Sequence, residues 1–185
     1  MLPVRALAAA CFVLSCPVVT VAADDPRPIV AVFQIQPKQV TLEAATVDAL
    51  TEYLAVAVSK GGTLRVVPPG DIRAALHTRQ KESYRACYDQ KCQIELGREL
   101  AANKTLSASV LKLGGTCTLT ASLYDLKTQT TDISEMADGA CSPEELKASI
   151  DAVAARIRAW AGGKQERAAG ARQTTGTGTE PIHAP

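Results

Sequence analysis

Cysteine is the residue type in this sequence best equipped for chemistry, and its six positions divide at once. Cys11 and Cys16 lie in an apolar stretch near the N-terminus, whereas Cys87, Cys92, Cys117 and Cys141 are spread through the body of the chain. Cys87 and Cys92 form a Cys-x4-Cys, two residues longer than the C-x-x-C that a catalytic disulfide places at a helix N-terminus to lower its thiol pKa. The same spacing lacks the paired C-x-x-C knuckles of a zinc ribbon, and oxidising export disfavours thiolate ligands. A thiol-disulfide or thiol-dependent enzyme using Cys87 or Cys92 is the alternative function this spacing leaves. An even number of cysteines in an exported chain reads instead as a structural disulfide framework, which for four residues admits three connectivities.

The other candidate chemistry is thin. Only two histidines are present, one of them three residues from the C-terminus, which argues against a His-rich metal site or a Ser-His-Asp hydrolase. His77 is near Cys87 in sequence, but Arg79, Gln80, Lys81 and Glu82 follow it, so it reads as an exposed helix residue. Asp24-Asp25 could attract a cation, yet with Pro26 and Arg27 beside it the segment reads as a linker. Glu144-Glu145 suits the start of a helix, and Gly61-Gly62 and Gly114-Gly115 lack the context of phosphate loops. No catalytic, cofactor-binding or metal-ligating residue is assigned. Twenty basic and nineteen acidic residues give a net charge of +1, so no electrostatic footprint for nucleic acid exists.

One polar segment stands apart. Ser83 to Tyr88 places Tyr84, Arg85 and Tyr88 in a loop that a Cys87–Cys92 bond would stiffen. Tyr and Arg anchor protein interfaces because they offer large contact area at low entropic cost, so these three are the candidate interface residues.

The elements that must position these residues follow from periodicity. Residues 28–33 form a nearly continuous apolar run, as expected of a strand covered on both faces. A helix capped by Thr41 runs to about Ser59 with Val47, Leu50, Leu54 and Val58 on one face, and Gly61-Gly62 closes it. Residues 64–67 make a second strand, and this β-α-β spacing predicts a parallel pair. Asp71 caps a short helix carrying Ile72, Ala75 and Leu76. A third helix runs to about Ala102 with Ile94, Gly97, Leu100 and Ala101 on its apolar face. Three strands follow at about 105–113, 117–125 and 130–137, joined by turns at Gly114-Gly115 and Lys127-Thr128-Gln129. In the middle one Leu119, Ala121 and Leu123 alternate with Thr118, Thr120, Ser122 and Tyr124, so only one face is apolar. Ser142-Pro143-Glu144-Glu145 is a capping box that starts a last helix with Leu146, Ile150, Val153, Ala154, Ile157 and Trp160 in one stripe, ended by Gly162-Gly163.

The expectation is an α/β (α+β) fold with a five-stranded mixed sheet, in the order β-α-β-α-α-β-β-β-α, helices packed on the sheet. With the last hairpin turning near Thr128, Cys117 lies opposite about residue 139 and hence beside Cys141. The pairing is then Cys87–Cys92 and Cys117–Cys141. The second bond closes a loop of about 25 residues and contributes about 3 kcal/mol by chain entropy.

Residues 1–23 read as a secretory signal peptide: a short charged start, an apolar run too short to anchor in a bilayer, and small residues Val21 and Ala23 before Asp24. Val13-Leu14-Ser15-Cys16 also resembles a bacterial lipobox, making Cys16 the candidate lipidation site and the only membrane link. The division is 1–23 signal peptide, 24–161 a single α/β domain, and 162–185 a disordered tail of Gly, Ala, Thr, Gln and Pro with scattered charge.

The order of segments also resembles a known exported module. The strand PIVAVFQI, a long helix, KGGTLRVVPPGDIRAAL, and ELAANKTLSASVLKLGGTCTLTASLYDLKTQT are similar to the pattern shared by CsgG, the penicillin-binding-protein activator LpoB and the TolB N-terminal domain. Short myxobacterial-type exported proteins with a Cys-x4-Cys before the third helix resemble it most. The chain departs from that pattern at Gln34, where an acidic residue is common, at Ala102-Asn103, at Ala108-Ser109 and at Gln129. The resemblance implies a non-enzymatic, periplasmic or outer-membrane-associated module of a Gram-negative envelope, binding envelope proteins in assembly, secretion or regulation, with no cofactor.

Overall fold

The computed structural model describes residues 25, 27–78 and 87–174, with side chains through 167. Six strands build one mixed sheet: β1 (Ile29–Val32), β2 (Gln36–Lys38), β3 (Arg65–Val67), β4 (Lys104–Leu113), β5 (Thr116–Asp125) and β6 (Thr130–Gly139). The order is β3-β1-β4-β5-β6, with β2 also paired to β4. β1 runs parallel to β3 and β4, and β4-β5-β6 is an antiparallel meander. The expected five-stranded mixed sheet is therefore present, with β2 as a sixth, three-residue strand.

β2 exists because one long strand is interrupted. Val32 sits opposite Leu106 and Gln36 opposite Ser109, so four steps along one chain face three along the other. The extra residue bulges, as in β-bulges generally. Thr51 Oγ1, on the helix that follows β2, accepts the Ile35 N–H at 3.1 Å, which satisfies the backbone where the ladder breaks.

Helices cover both faces. α1 (Ala44–Ser59) and α4 (Pro143–Thr174) pack on one side, where Leu54, Val58, Leu106, Leu119, Leu123, Ile150 and Ile157 form the main core. α2 (Pro69–Thr78) and α3 (Gln90–Glu99) cover part of the other, over Ala31, Phe33, Ile72, Leu76, Leu96 and Leu126. A fully buried Leu or Ile contributes about 1.5–3 kcal/mol over an exposed one, so these stripes, more than propensity, hold the helices.

Several boundaries differ from expectation for local reasons. α1 starts at Ala44 after Glu43, not at Thr41, and no side chain caps it. α2 starts at Pro69, whose fixed φ and missing N–H suit a first helical position, so Asp71 falls inside the first turn. The buried side of α3 is Cys92, Gln93, Leu96 and Gly97, with Ile94 and Leu100 only half-buried and Ala101 exposed. Packing against Thr105 and Leu126 sets that rotation, because a Cβ on Gly97 would stand 2.8 Å from Thr105 Cγ2 and 3.1 Å from Leu126 Cδ1.

α4 does not end at Gly162-Gly163 but continues to Thr174, so the first part of the expected tail is helical. Neither glycine takes the positive φ of a terminator. Ala161 beside them is buried, and Lys164 donates to Asp132 at 3.0 Å while lying 4.5 Å from the centre of the Trp160 ring. Interior glycines cost about 1 kcal/mol each, a cost these contacts offset. Residues 175–185 lie outside the described residues.

Candidate functional site

The helices leave one part of the sheet open. On the side of α2 and α3, the outer halves of β4 and β5 present Ser107 and Ser109 opposite Ser122 and Thr120. β2 sets Gln36 beside Ser109, and the segment entering α3 closes the far wall with Tyr88, Gln90 and Gln93. Tyr124 and Thr131 complete a groove of about 350 Å³. Its floor is the polar half of the alternation seen in β5. The apolar half, Leu119, Ala121 and Leu123, faces α1 and α4.

The groove wall is built by amides and one disulfide. Cys87 and Cys92 are bonded, with Cα atoms 5.3 Å apart, and both are buried. Asp89 caps α3 by accepting the Cys92 N–H at 2.9 Å. Three glutamines then fix the segment. Gln93 Nε2 donates to the Cys87 carbonyl at 3.2 Å, and Gln36 Nε2 to the Tyr88 carbonyl at 2.8 Å. Gln34 Oε1 accepts the Tyr88 hydroxyl at 3.0 Å while its Nε2 donates to Asp48 at 2.7 Å. Gln34, which departs from the acidic residue of the resembling pattern, is suited to this place. An amide can accept from Tyr88 and donate to Asp48, whereas a carboxylate would only accept.

Of the candidate interface residues, Tyr88 lies half-buried in this wall, while Tyr84 and Arg85 lie outside the described residues, as does Cys16. His77 is exposed on α2. The second cysteine pair, Cys117 and Cys141, is bonded with Cα atoms 5.1 Å apart, and Cys117 stands opposite Gly139 in the hairpin register. Sequence reasoning missed Gln36, Ser107, Ser109, Thr120 and Tyr124 as groove residues. The hydroxyl alternation in β5 was the available signal, but only the strand order shows that no helix covers it.

The charge is concentrated elsewhere. Lys104, 7 % exposed, lies on the α4 side and donates to Asp125 and Asp132 at 2.5 Å each. Asp132 reaches it because β6 shifts register between the Leu123–Ile133 and Tyr124–Thr131 pairs. Burial pushes the Asp125 carboxyl up, but the Lys104 ammonium and the N–H groups of Thr128 and Lys127 outweigh it, holding the group well below the usual carboxylate range. Burial likewise lowers Lys104, and the hydrogen bonds it donates to both carboxylates more than reverse this. Ahead of β1, hydrogen bonds from Arg27 hold Asp25 well below the ordinary value. That carboxylate is occupied by an arginine rather than open to a cation. Among the described residues, no group of three or more His, Cys, Asp or Glu side chains could hold a metal ion, and no helix is long and apolar enough to cross a membrane.

Superposition on solved structures fits this geometry to a known fold. The C-terminal domain of LpoB from Salmonella enterica matches with a TM-score of 0.52 and 17% identity, over 61% of this chain and 82% of that one. The fold is that of the LpoB C-terminal domain. Its Escherichia coli counterpart gives 0.51 and 19% over the same shares, and the solution structure of Escherichia coli LpoB gives 0.50 and 17% over 60% of this chain and 55% of that one. No family model matches the sequence, and no curated protein matches it. At these identities the likeness to LpoB is one of fold.

Proposed function

We propose that the chain is an exported, non-enzymatic binding module of a Gram-negative envelope, periplasmic or outer-membrane-associated, that works by contact with an envelope protein. Residues 1–23 leave as the signal peptide, with Cys16 the lipidation site where the lipobox is used instead. The observation that carries the reading is the Cys87–Cys92 segment, whose backbone and Tyr88 hydroxyl are held by Gln34, Gln36 and Gln93 beside an open sheet face. A tyrosine presented from a restrained backbone binds at low ordering cost, and Tyr84 and Arg85 precede it in the same segment. The LpoB-like fold supports an envelope accessory role in assembly, secretion or regulation, and kinship with CsgG and with the short myxobacterial-type proteins belongs to the same proposal.

Crosslinking in intact cells followed by affinity capture should recover one envelope protein, with recovery falling several-fold for Tyr84→Ala, Arg85→Ala or Tyr88→Ala. No specific partner, or equal recovery with all three variants, would sink the reading. Burial of both cysteines, at 1 % and 4 % exposure, supports a structural bond over a thiol enzyme at Cys87 or Cys92. Mass spectrometry of the alkylated, unreduced protein should find no labelled thiol among Cys87, Cys92, Cys117 and Cys141.

A further inference from the structure

We propose that the groove on the open sheet face is a binding site for a neutral oligosaccharide, sharing Tyr88 with the protein contact but independent of Tyr84 and Arg85. The chemistry of the lining selects this class. Among the described residues around the groove Lys38 is the one charged side chain and none is a carboxylate, so a cationic ligand finds no counter-charge and an anionic one finds a single lysine, while the rest of the lining is neutral. Ala108 is the only aliphatic lining residue, which disfavours a lipid or an apolar peptide.

What the groove offers is hydroxyls and amides that the protein leaves unused. The hydroxyls of Ser107, Ser109 and Thr120 take no partner among the described residues. Thr105 is more telling, since it is 97 % buried (3 % exposed), and its hydroxyl has no partner among the described residues although it lines the groove. Among the described residues Thr63 Oγ1 is the one fully buried side-chain polar atom without a partner, so the Thr105 hydroxyl keeps some exposure, which the groove supplies. A hydroxyl that opens on the groove is satisfied there by water or by a ligand hydroxyl that displaces it.

A sugar carries donors and acceptors around its whole rim and an apolar C–H face. The groove matches both features: hydroxyls and Gln36 on the floor and side, and the rings of Tyr88 and Tyr124 as surfaces on which an apolar face can lie. An extended peptide is the competing occupant, because β2, paired on one side only, lends Gln36 and Lys38 to the groove, and the titration below separates the two.

The test is a chemical-shift titration of the full-length chain with chitotetraose, cellotetraose and maltotetraose, each to millimolar concentration. Saturable shifts should centre on Thr105, Ser107, Ser109 and Thr120 for at least one of the three. Thr120→Val and Ser107→Ala, which leave the apolar core untouched, should each weaken binding roughly three- to tenfold, as expected for one lost hydrogen bond. Tyr84→Ala should leave sugar affinity unchanged, so failure here and failure of the protein-contact reading remain distinguishable. No saturable shift with any sugar overturns the proposal. Shifts in the groove with a neutral Gly-Ser peptide but none with the sugars overturn it in favour of a peptide ligand.

Discussion

Replacing Lys104 by Met removes the one buried ammonium among the described residues and leaves two carboxylates facing each other beneath α4. Met keeps most of the aliphatic length, so the change isolates the charge. Breaking a buried ion pair by deleting one partner costs about 3–5 kcal/mol, because the remaining charge is stranded. Here the stranded groups keep other donors: Asp132 retains Lys164 at 3.0 Å, and Asp125 retains the N–H groups of Lys127 and Thr128 at 2.9 Å each. Asp125 is also partly open to solvent, its side chain 19 % exposed. The expected loss is therefore smaller, about 2–3 kcal/mol at pH 7. The pH dependence carries the sharper signature. Asp125 has a folded-state pKa below its unfolded value near 3.9, so its contribution is present above that value and is lost as pH falls through the folded pKa. Lys104 has a raised folded-state pKa, so its contribution is complete below about 10.4 and is lost as pH rises through the folded value. Urea denaturation followed by circular dichroism should give the largest gap between the two proteins from pH 5 to 9, narrowing below pH 4. A gap under about 0.5 kcal/mol at pH 7, or one of equal size at pH 3 and pH 7, would refute the reasoning.

Other positions give independent checks. Removing the Cys117–Cys141 bond by a double Ala substitution should cost about 3–4 kcal/mol for its sequence separation of 24, against about 2 kcal/mol for Cys87–Cys92 with a separation of 5; urea midpoints of the two double variants should fall in that order. Ala101→Gly should stabilise the protein by about 0.5–1 kcal/mol. Ala101 is exposed and sits at φ 54°, in the left-handed place after α3 where the N–H groups of Ala102 and Ala101 close onto Gly97 and Arg98, and thermal melting should show a higher midpoint. Gly97→Ala should destabilise by about 1–3 kcal/mol, since its Cβ would meet Thr105 Cγ2 at 2.8 Å; an unchanged melting temperature would contradict the close packing of α3 on β4.

How much was legible follows from the range over which each signal acts. The stripes of α1 and α4, the meander and its two turns are local patterns, and Val47, Leu50, Leu54, Leu146, Ile150 and Ile157 are all buried as periodicity implied. The Cys117–Cys141 pairing was legible because hairpin register is local too: placing the turn near Thr128 puts Cys117 opposite residue 139. Strand β2 was not legible, since QPK contains a proline and has no alternation; it forms because β4 offers a partner edge beyond the bulge. The helical stretch past Gly162-Gly163 was hidden for a similar reason, as Lys164 finds Asp132 and Trp160 only once β6 and α4 are packed.

The site shows the same division. By itself the sequence determined a charge-balanced, histidine-poor chain with two disulfide pairs, an α/β order of elements, and a β5 with one hydroxyl-bearing face, because composition and period-2 alternation need no knowledge of neighbours. Only the tertiary structure decided which face of that strand stays open, that Gln34 and Gln36 from one segment and Gln93 from α3 converge on Cys87 and Tyr88, and that Lys104 is buried between two aspartates. Apart from Gln93 with Cys87, those contacts join residues about 20 to 50 positions apart, and they arise from strand order and helix placement, which no local pattern encodes.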